Sequence, residues 1–455
     1  MGSLANPSLR EPRHKKPAGE PIRPAFTRIS DRCPAAAVQD TELAIVHPVP
    51  GTASYSSPRP EGGNSMYDFV TLRSRDHWGA EKWEARTEAE KKKGIVPLSV
   101  ADMEFVPAPE IVQAIVEAAQ NGVYGYTGPD AAYREAVKGF LHRHHGLVLN
   151  DEEIVPISGV VPALYSAVRA FTQPGDGIII QTPVYPPFYA AARINDRVLI
   201  ENPLRRTGMV YEMDFEDLEK KCSDPRAKLL ILCSPHNPVC RVWTRRELET
   251  LERITSEHGV LVLADEIHSD LILQEQHISY PSLNDRAKSN CLLFTSPSKT
   301  FNLAGLQLAN ALVFDPLLRK RYKEQLEKEG WYCIPFFGRA ALLAAYTKCD
   351  AWLEQAIGQI RENGHLLQSF FRQHLPNCPI APMQGTYLAW IDMRALGLDR
   401  TNLEKLNRSA GLLLDEGYIF GKSGEGFERI NLALPRAELE KALLRWRDAI
   451  KALQS

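Results

Sequence analysis

The chain has 455 residues, of which 24% are charged, and its formal net charge at pH 7 is −2. A chain of this length predicts two or three domains and a sizeable buried core. The balanced charge provides no electrostatic footprint for nucleic acid or an anionic membrane surface. No apolar run approaches the ~20 residues that span a bilayer. We therefore expect neither nucleic acid nor a membrane as a partner.

Residues 1–65 differ from the rest of the chain. They are rich in Pro, Ser, Gly and Ala and show no apolar periodicity, which predicts a disordered N-terminal extension. No apolar segment of a signal peptide follows the start. Residues 66–110 are predicted to form an N-terminal arm that belongs to a small domain.

From 111 to 324 the chain alternates between strands and helices, which predicts a large domain. Continuous apolar strands between helices favour a mostly parallel sheet that is covered on both faces. The clearest helix covers 244–259, where Thr244 and Glu247 form a capping box and Gly259 ends the helix. The predicted strands lie at 177–183, 227–235, 259–266, 290–297 and 309–314.

The last part of the chain, 325–455, carries long helical patterns and a strand-like run at 386–393. This mixture predicts a second, smaller α+β domain. The sequence LHRHHG at 141–146 has no matching carboxylate or cysteine ligands, so we expect a solvated helix end and no bound metal.

The eight cysteines form no Cys-x-x-Cys pair, and several of them lie in apolar runs such as LLILCSP and NCLLF. This distribution argues against a zinc site and against a disulfide framework. It is typical of buried, reduced thiols, and it predicts a cytoplasmic protein.

Functional side chains follow four of the predicted strands. In open α/β sheets, ligands bind outside the carboxyl ends of the strands. Tyr185 follows the first strand and Asn237 the second. Asp265 and His268 follow the third strand, and Lys299 follows the fourth. Each residue alone has an ordinary structural explanation, as a turn, a cap or a packed ring. An aromatic ring, an amide, a carboxylate and an amine at one edge of the sheet together predict a binding site.

This set of residues matches the needs of pyridoxal 5'-phosphate. That cofactor is held by a lysine as a Schiff base, with a carboxylate at its pyridine nitrogen. Its phosphate requires backbone N–H groups at a helix N-terminus. The sequence ISGVVPALYSAVRAF offers such groups at Gly159 and Val160, and Ser296 and Ser298 add hydroxyl donors. We therefore expect pyridoxal 5'-phosphate as the cofactor.

The motif order S-G-V, P-V-Y, N-P, D-E-I-H and S-P-S-K resembles the fold-type I pyridoxal-phosphate enzymes of the class I/II aminotransferase superfamily. Within them, VADMEF (100–105), GVYGYTGPD (122–130), SPSKTFNLAGLQ (296–307) and GTYLAWIDMR (385–394) resemble the cystathionine β-lyase-type carbon–sulfur lyases. The resemblance implies an aspartate aminotransferase-like α/β fold, with a mostly parallel seven-stranded sheet flanked by helices. It also implies a homodimer that acts on a small amino-acid substrate.

The resemblance also implies roles for individual residues. Lys299 is then the Schiff-base lysine and the base that removes the Cα proton. Asp265 pairs with the pyridine nitrogen, and Tyr185 stacks on the ring. Asn237 and His268 lie near the ring oxygen.

The remaining implied contacts concern the phosphate and the substrate. Gly159 and Val160 present backbone N–H groups to the phosphate. Arg429, in FERINLA, resembles the arginine that holds the substrate carboxylate, and a planar guanidinium suits this bidentate task. Tyr126 resembles a tyrosine that reaches the phosphate of the neighbouring subunit, which implies active sites shared between two chains.

Two positions favour a lyase. Many aminotransferases have a tyrosine where this chain has His268, and a phosphate-binding arginine where it has Gln307. We therefore expect elimination from cystathionine or another cysteine S-conjugate, with thiol, pyruvate and ammonia as products. A pyridoxal-phosphate-dependent aminotransferase is the alternative, and a non-catalytic regulatory relative is a second one. One departure from the family is Cys240, where glycine is usual; cysteine resists the turn conformation that glycine permits.

Overall fold

The structure is a computed structural model that describes residues 67–454. The predicted extension at 1–65 therefore lies outside the described residues, as does Met66. In the part of the chain that is described, no helix combines the length and the apolar character needed to cross a bilayer.

The described residues contain fifteen α-helices, and the long ones lie where the sequence shows helical periodicity. In chain order they are α1 Glu81–Glu84, α2 Glu88–Lys92, α3 Pro109–Gln120, α4 Ala131–His145, α5 Val160–Phe171, α6 Pro186–Arg193, α7 Phe215–Cys222, α8 Arg245–Glu257, α9 Asp285–Ser289, α10 Pro297–Thr300, α11 Pro316–Lys328, α12 Phe336–Lys348, α13 Asp350–His374, α14 Arg400–Ser409 and α15 Arg436–Gln454.

The described residues also contain twelve strands, most of them short. They are β1 Ile154–Ile157, β2 Gly177–Ile180, β3 Val198–Glu201, β4 Arg205–Thr207, β5 Val210–Glu212, β6 Ala227–Cys233, β7 Leu261–Asp265, β8 Cys291–Thr295, β9 Ala309–Leu312, β10 Leu388–Asp392, β11 Asp415–Glu416 and β12 Phe427–Asn431.

Seven of these strands form one sheet in the order β1-β9-β8-β7-β6-β2-β3. The strand β9 runs antiparallel to both of its neighbours, and the other neighbouring pairs are parallel. The mostly parallel seven-stranded sheet with flanking helices is therefore confirmed. The edge strand β3 has no counterpart among the predicted strands, because its short run VLIE is only partly buried.

Both faces of the sheet are covered, as its continuous apolar strands predict. Successive residues of β6 enter opposite hydrophobic clusters: Leu230 and Leu232 join one cluster, while Leu229 and Ile231 join the other. Because side chains alternate along a strand, burial on both faces requires an unbroken apolar run.

Helix α8 shows how local sequence sets an element boundary. The Thr244 hydroxyl accepts a hydrogen bond from the Glu247 backbone N–H, and the Glu247 carboxylate accepts one from the Thr244 backbone N–H. Gly259 follows the helix with a φ of +66°, in the left-handed region that favours glycine. The predicted capping box and stop are both present.

A second sheet lies in the C-terminal part of the chain. It has the order β10-β12-β11, and all of its pairs are antiparallel. The strand-like run predicted at 386–393 contains β10. This sheet with its neighbouring helices is the smaller α+β region of the fold, whereas the proposed boundaries at 66–110, 111–324 and 325–455 stay predictions.

Candidate active site

A cavity of about 200 Å³ lies at the carboxyl ends of strands β6, β7 and β8. The parallel strands bring residues that are far apart in sequence to this one edge. We call it the active-site cavity. Eight of the residues singled out in the sequence line it: Gly159, Val160, Tyr185, Asn237, Asp265, His268, Ser298 and Lys299.

Lys299 lies on the single-turn helix α10, directly after β8. Its Nζ donates a hydrogen bond of 2.5 Å to the carbonyl oxygen of Ala101. Burial lowers the pKa of Lys299 to about 8; the charge of Asp102 opposes this shift, and the charge of Arg429 adds to it. A substantial fraction of neutral amine, the nucleophilic form, is therefore present near neutral pH.

Asp265 ends strand β7 and is only 5% exposed. One of its oxygens accepts a hydrogen bond of 3.1 Å from the backbone N–H of Ile267. Burial raises the pKa of Asp265 to about 7, and this hydrogen bond and the charge of Lys299 offset the shift only in part. A positively charged group in the cavity would stabilise the ionised carboxylate.

His268 is buried three residues after Asp265. Burial, with the charges of Lys299 and Arg429, lowers the pKa of His268 well below its ordinary value, so the ring is neutral. Its Nδ1 is buried and has no hydrogen-bond partner among the described residues. The ring meets the ring of Tyr387 edge to face at a centroid distance of 5.8 Å. The cavity therefore contains a neutral imidazole nitrogen that is available to a ligand.

Arg429 lies on strand β12 of the smaller sheet and contacts Asn237, one of the residues that line the cavity. Its Nη1 donates 2.9 Å to Oδ1 of Asn237, and its Nη2 lies 2.5 Å from Oδ2 of Asp415. The residue is 4% exposed, and its Nε has no hydrogen-bond partner in the described part of the chain. The structure thus brings Arg429 next to Asn237, as the predicted site requires.

Gly159 precedes helix α5 and has a φ of +92°. A Cβ atom there would lie 3.3 Å from Oε1 of Gln307 and 3.4 Å from Cδ of Pro162, which is tighter than ordinary contact. The positive φ therefore favours glycine at this position, and a side chain there would also displace the end of the exposed Gln307 side chain slightly. The helix N-terminus opens onto the active-site cavity with Val160 as its first residue.

Of the predicted residues Ser296, Ser298 and Tyr185, the last two line the active-site cavity and the first does not. Ser298 lines the cavity, whereas Ser296 lies behind it: its hydroxyl donates 2.7 Å to the carbonyl of Leu308 and accepts 3.0 Å from the backbone N–H of Ser298. Tyr185 lines the cavity beside Phe188, and burial raises its pKa to about 12. The phenol therefore stays neutral.

Tyr126 lies away from the cavity of its own chain. It is 87% exposed, and its ring contacts the ring of Tyr332, which is also exposed, at a centroid distance of 5.8 Å. A contact between Tyr126 and a phosphate in a neighbouring subunit remains a prediction.

Several groups at the site were not anticipated. The carbonyl of Ala101 accepts hydrogen bonds from both Lys299 and the hydroxyl of Tyr387, the latter at 2.8 Å. Val100 precedes it with a φ of +53°, which is a strained conformation for a β-branched residue. The motif VADMEF contains Val100 and Ala101, but a backbone acceptor leaves no side-chain signal in a sequence.

Cys240 adopts the conformation that glycine usually supplies. Its φ is +63°, and the side chain is fully buried. The backbone N–H donates 2.8 Å to the carbonyl of His236, and the Cys240 carbonyl accepts from the N–H groups of Gln384 and Gly385 at 3.2 Å each. These bonds hold the turn after Asn237 in the geometry that the sequence left in doubt.

Within residues 67–454, no group of three or more His, Cys, Asp or Glu side chains is arranged to hold a metal ion.

Comparison with known proteins agrees with this geometry. The family model "Aminotransferase class I and II" matches residues 93–445, and the chain belongs to that family. Cystathionine beta-lyase PatB of Bacillus subtilis is 38% identical over 371 residues, which are 81% of this chain and 96% of that protein.

Two solved structures are similar over most of the chain. Cystalysin from Treponema denticola, which contains pyridoxal 5'-phosphate, has a TM-score of 0.82 and 39% identity, covering 86% of this chain and 100% of its own. The pyridoxal-phosphate-bound C–S lyase from Staphylococcus hominis has a TM-score of 0.79 and 29% identity, covering 85% and 99%. The predicted family and fold are confirmed.

Proposed function

We propose that this chain is a pyridoxal-phosphate-dependent carbon–sulfur β-lyase, which eliminates a thiol from a cysteine S-conjugate and leaves pyruvate and ammonia. One observation carries the proposal: the buried amine of Lys299 and the buried carboxyl of Asp265 meet in one cavity, beside the guanidinium of Arg429. The family and the lyases similar to this chain support the same activity.

The residues of the active-site cavity fit pyridoxal phosphate. Asp265 would hold the pyridine nitrogen, because a protonated nitrogen is the positive partner that its buried carboxyl lacks. The ring of Tyr185 and the free Nδ1 of His268 would contact the cofactor ring and its substituents. The N-terminus of α5, at Gly159 and Val160, would hold the phosphate.

When it is bound, pyridoxal phosphate supplies an electron sink for the electron pair released at the substrate Cα. Lys299 would hold the cofactor through its amine, and Nζ would take up the Cα proton of a bound substrate. The Cβ–S bond then breaks and sulfur leaves as thiol. The three-carbon fragment takes up one water and ends as pyruvate and ammonia. The pKa of Lys299, about 8, suits this exchange because both of its protonation states are populated near neutral pH.

Arg429 and Asn237 would orient the substrate. A guanidinium that is already held by Asn237 and Asp415 is fixed in place, and its free Nε is one donor left for a carboxylate. Holding the carboxylate keeps the Cα–H bond in one direction relative to Lys299. Substrates without a carboxylate are therefore expected to react poorly.

We also infer a homodimer in the cytoplasm. The segment at 121–126 is exposed throughout, and Val123, Tyr124 and Tyr126 are large apolar or aromatic residues within it. Such exposed patches are typical of protein–protein contacts. The seven described cysteines are free, and six of them are buried, which favours a reducing compartment.

The activity is tested by supplying an S-alkyl cysteine and alanine separately, each with 2-oxoglutarate, and measuring thiol, pyruvate and glutamate. We expect thiol and pyruvate in equal amounts from the S-alkyl cysteine, and almost no product from alanine, which has no leaving group at Cβ. Abundant glutamate from both, without thiol, would make the protein an aminotransferase. No product from either would favour the regulatory alternative.

The dimer is tested by sedimentation of the full chain and by subunit mixing. Tyr126→Phe is expected to weaken cofactor retention by about 1–2 kcal/mol, the scale of a hydrogen bond to a charged group. Mixing this variant with Lys299→Ala subunits then gives hybrid dimers with two unequal sites. Cofactor affinity that equals the wild type's would place Tyr126 in local packing.

A further inference from the structure

The residues that directly follow Asp265 and Lys299 both point into a second buried cluster. Glu266 is 2% exposed and Thr300 is fully buried. Neither of them lines the active-site cavity, although the residue before each of them does. Because successive residues differ in side-chain direction, the side chains of Glu266 and Thr300 lie outside the cavity that Asp265 and Lys299 line.

A chain of hydrogen bonds runs from Thr300 to the end of helix α4. The Thr300 hydroxyl donates 2.6 Å to Oδ2 of Asp270, and Oδ1 of Asp270 lies 2.6 Å from Nε2 of His145. The side chains of His145 and Asp270 are only 6% and 8% exposed. The prediction of a solvated helix end at 141–146 is therefore wrong for His145, whose ring turns inward to meet a buried carboxylate.

The second half of the cluster starts from Glu266. One of its oxygens accepts 2.7 Å from the backbone N–H of Tyr280, and the other lies 3.0 Å from Nε2 of His277. The rings of His277 and His145 meet edge to face at a centroid distance of 5.6 Å. We call the side chains of His145, Glu266, Asp270, His277 and Thr300 the His145 network.

The charges of the His145 network are mutually compensated. Burial alone lowers the pKa of His145, but the hydrogen bond and charge of Asp270, with the charge of Glu266, outweigh it and raise the pKa. Burial raises the pKa of Asp270, yet the bonds from His145 and Thr300 and the nearby charge of His144 lower it overall. A paired, hydrogen-bonded carboxylate is a rigid anchor in a protein interior.

We propose that His145 and Asp270 are positioning residues for Lys299: the His145–Asp270–Thr300 chain holds helix α10, and with it the amine, in the position from which it serves the active-site cavity. The inference rests on the proposed function of Lys299. It assigns a role to three motifs, HRHHG, DEIHSDL and SKTFN, that meet only in the folded chain. Supporting residues of this kind hold a reactive group to within a fraction of an ångström.

The test compares Thr300→Val, which keeps the shape and removes the hydroxyl, with Thr300→Ser, which keeps the hydroxyl. Both are made in the full-length enzyme loaded with pyridoxal phosphate. Four quantities are measured: the pH midpoint of the visible absorbance band between pH 6 and 10, the rate of cofactor release, and kcat and KM for an S-alkyl cysteine. The first two report the attachment at Lys299 and do not depend on turnover.

For Thr300→Val we expect a midpoint displaced by about 0.5 pH units or more, cofactor release about tenfold faster, and kcat about tenfold lower with KM changed less than about twofold. Thr300→Ser should restore the midpoint, the release rate and kcat. A Thr300→Val enzyme with the wild-type midpoint and release rate would overturn the proposal, even if its thermal stability fell, because a merely structural role lowers stability alone.

A second pair keeps the proposal testable if Thr300→Val does not fold. His145→Gln retains an N–H donor toward Asp270, whereas His145→Leu does not. We expect His145→Leu to shift the absorbance midpoint and speed cofactor release, and His145→Gln to lie closer to the wild type. A His145→Leu enzyme with the absorbance midpoint and the cofactor release rate of the wild type would refute the role of the network. Failure of the proposed function would give a different result. The wild type would then release no thiol, while the absorbance midpoint and the rate of cofactor release would still test the His145 network.

Discussion

Asp265 belongs to the active-site cavity and Asp270 to the His145 network, and these two buried carboxyl groups have opposite surroundings. In the cavity, Nδ1 of His268 has no partner among residues 67–454, and burial raises the pKa of Asp265 to about 7. In the network, the pKa of Asp270 is lowered because His145 and Thr300 bind it.

The difference indicates which groups await a ligand and which hold the scaffold. Buried polar atoms normally find partners within the protein, so orphaned ones need an explanation. The carboxylate of Asp270, which is bound by both His145 and Thr300, contributes rigidity instead, although Nδ1 of His277 in the same network has no partner among the described residues. The contrast also falls between neighbours in the chain, since Asp265 precedes Glu266 and Lys299 precedes Thr300. A residue that lines the cavity is thus followed directly in the sequence by a residue of the His145 network.

The largest expected effect comes from removing the amine of the cavity. Lys299→Ala should lower thiol release by at least about 10³-fold and abolish the visible absorbance of the bound cofactor, because no other group can replace its nucleophile and base. Assays of thiol and pyruvate with purified protein measure the loss. Lys320→Ala is the matched control, since its side chain is 75% exposed. Near-wild-type turnover in Lys299→Ala would remove the central claim.

The two buried aspartates should respond oppositely to amide substitution in cofactor-free protein at pH 8. Asp265 has a folded-state pKa of about 7, above its ordinary value of ~3.9, so its contribution to stability falls as pH rises through that interval. Asp265→Asn removes this buried charge and should raise the free energy of unfolding by on the order of 1–3 kcal/mol.

Asp270→Asn supplies the contrast. The pKa of Asp270 is lowered, so its contribution is present above the unfolded-state pKa and is lost as pH falls through the folded-state value. We expect this variant to be less stable at pH 8 by about 1–3 kcal/mol. Urea unfolding of both variants at pH 5 and pH 8 measures the difference, and shifts of the same sign for the two would contradict the comparison.

The pH dependence of cofactor capture should follow the fraction of Lys299 that carries a neutral amine. The pKa of Lys299 is lowered to about 8 chiefly by burial, and only the neutral amine attacks the cofactor aldehyde. The initial rate of capture by cofactor-free protein should rise about tenfold per pH unit below pH 8 and level off above it. Stopped-flow absorbance between pH 6 and 10 measures it, with Lys299→Ala as the blank. A rate that still rises tenfold between pH 9 and 10 would exclude the lowered pKa.

The smallest effect is expected for His142, an exposed residue of helix α4 that lies three positions before His145. His142→Ala should change the free energy of unfolding by no more than about 0.5 kcal/mol and leave cofactor release unchanged. Thermal unfolding and cofactor release are measured beside His145→Leu. A His142→Ala variant that releases cofactor as fast as His145→Leu would show that the whole helix end matters, and not the one buried ring.

The sequence by itself determined the large sheet and the cofactor side of the active-site cavity. Apolar runs that alternate with helices predict parallel strands, and parallel strands bring Tyr185, Asn237, Asp265 and Lys299 to one edge. This inference needs only the order of short local patterns. Strand β3 was not predicted because its four-residue run VLIE is short and shows little alternation of apolar and polar residues. The predicted extension at 1–65 lies outside the described residues.

Only the tertiary structure decided which backbone carbonyl accepts from Lys299 and which residues form the His145 network. The carbonyl that accepts from Lys299 belongs to Ala101, 198 residues earlier in the chain, and the same oxygen accepts from the hydroxyl of Tyr387, which is 286 residues from Ala101. His145 and Asp270 are 125 residues apart. A backbone carbonyl leaves no trace in residue types, and a histidine in a run of basic residues looks solvated until folding turns it inward. Local pattern encodes elements and their ends, whereas contacts across such distances arise from how those elements pack.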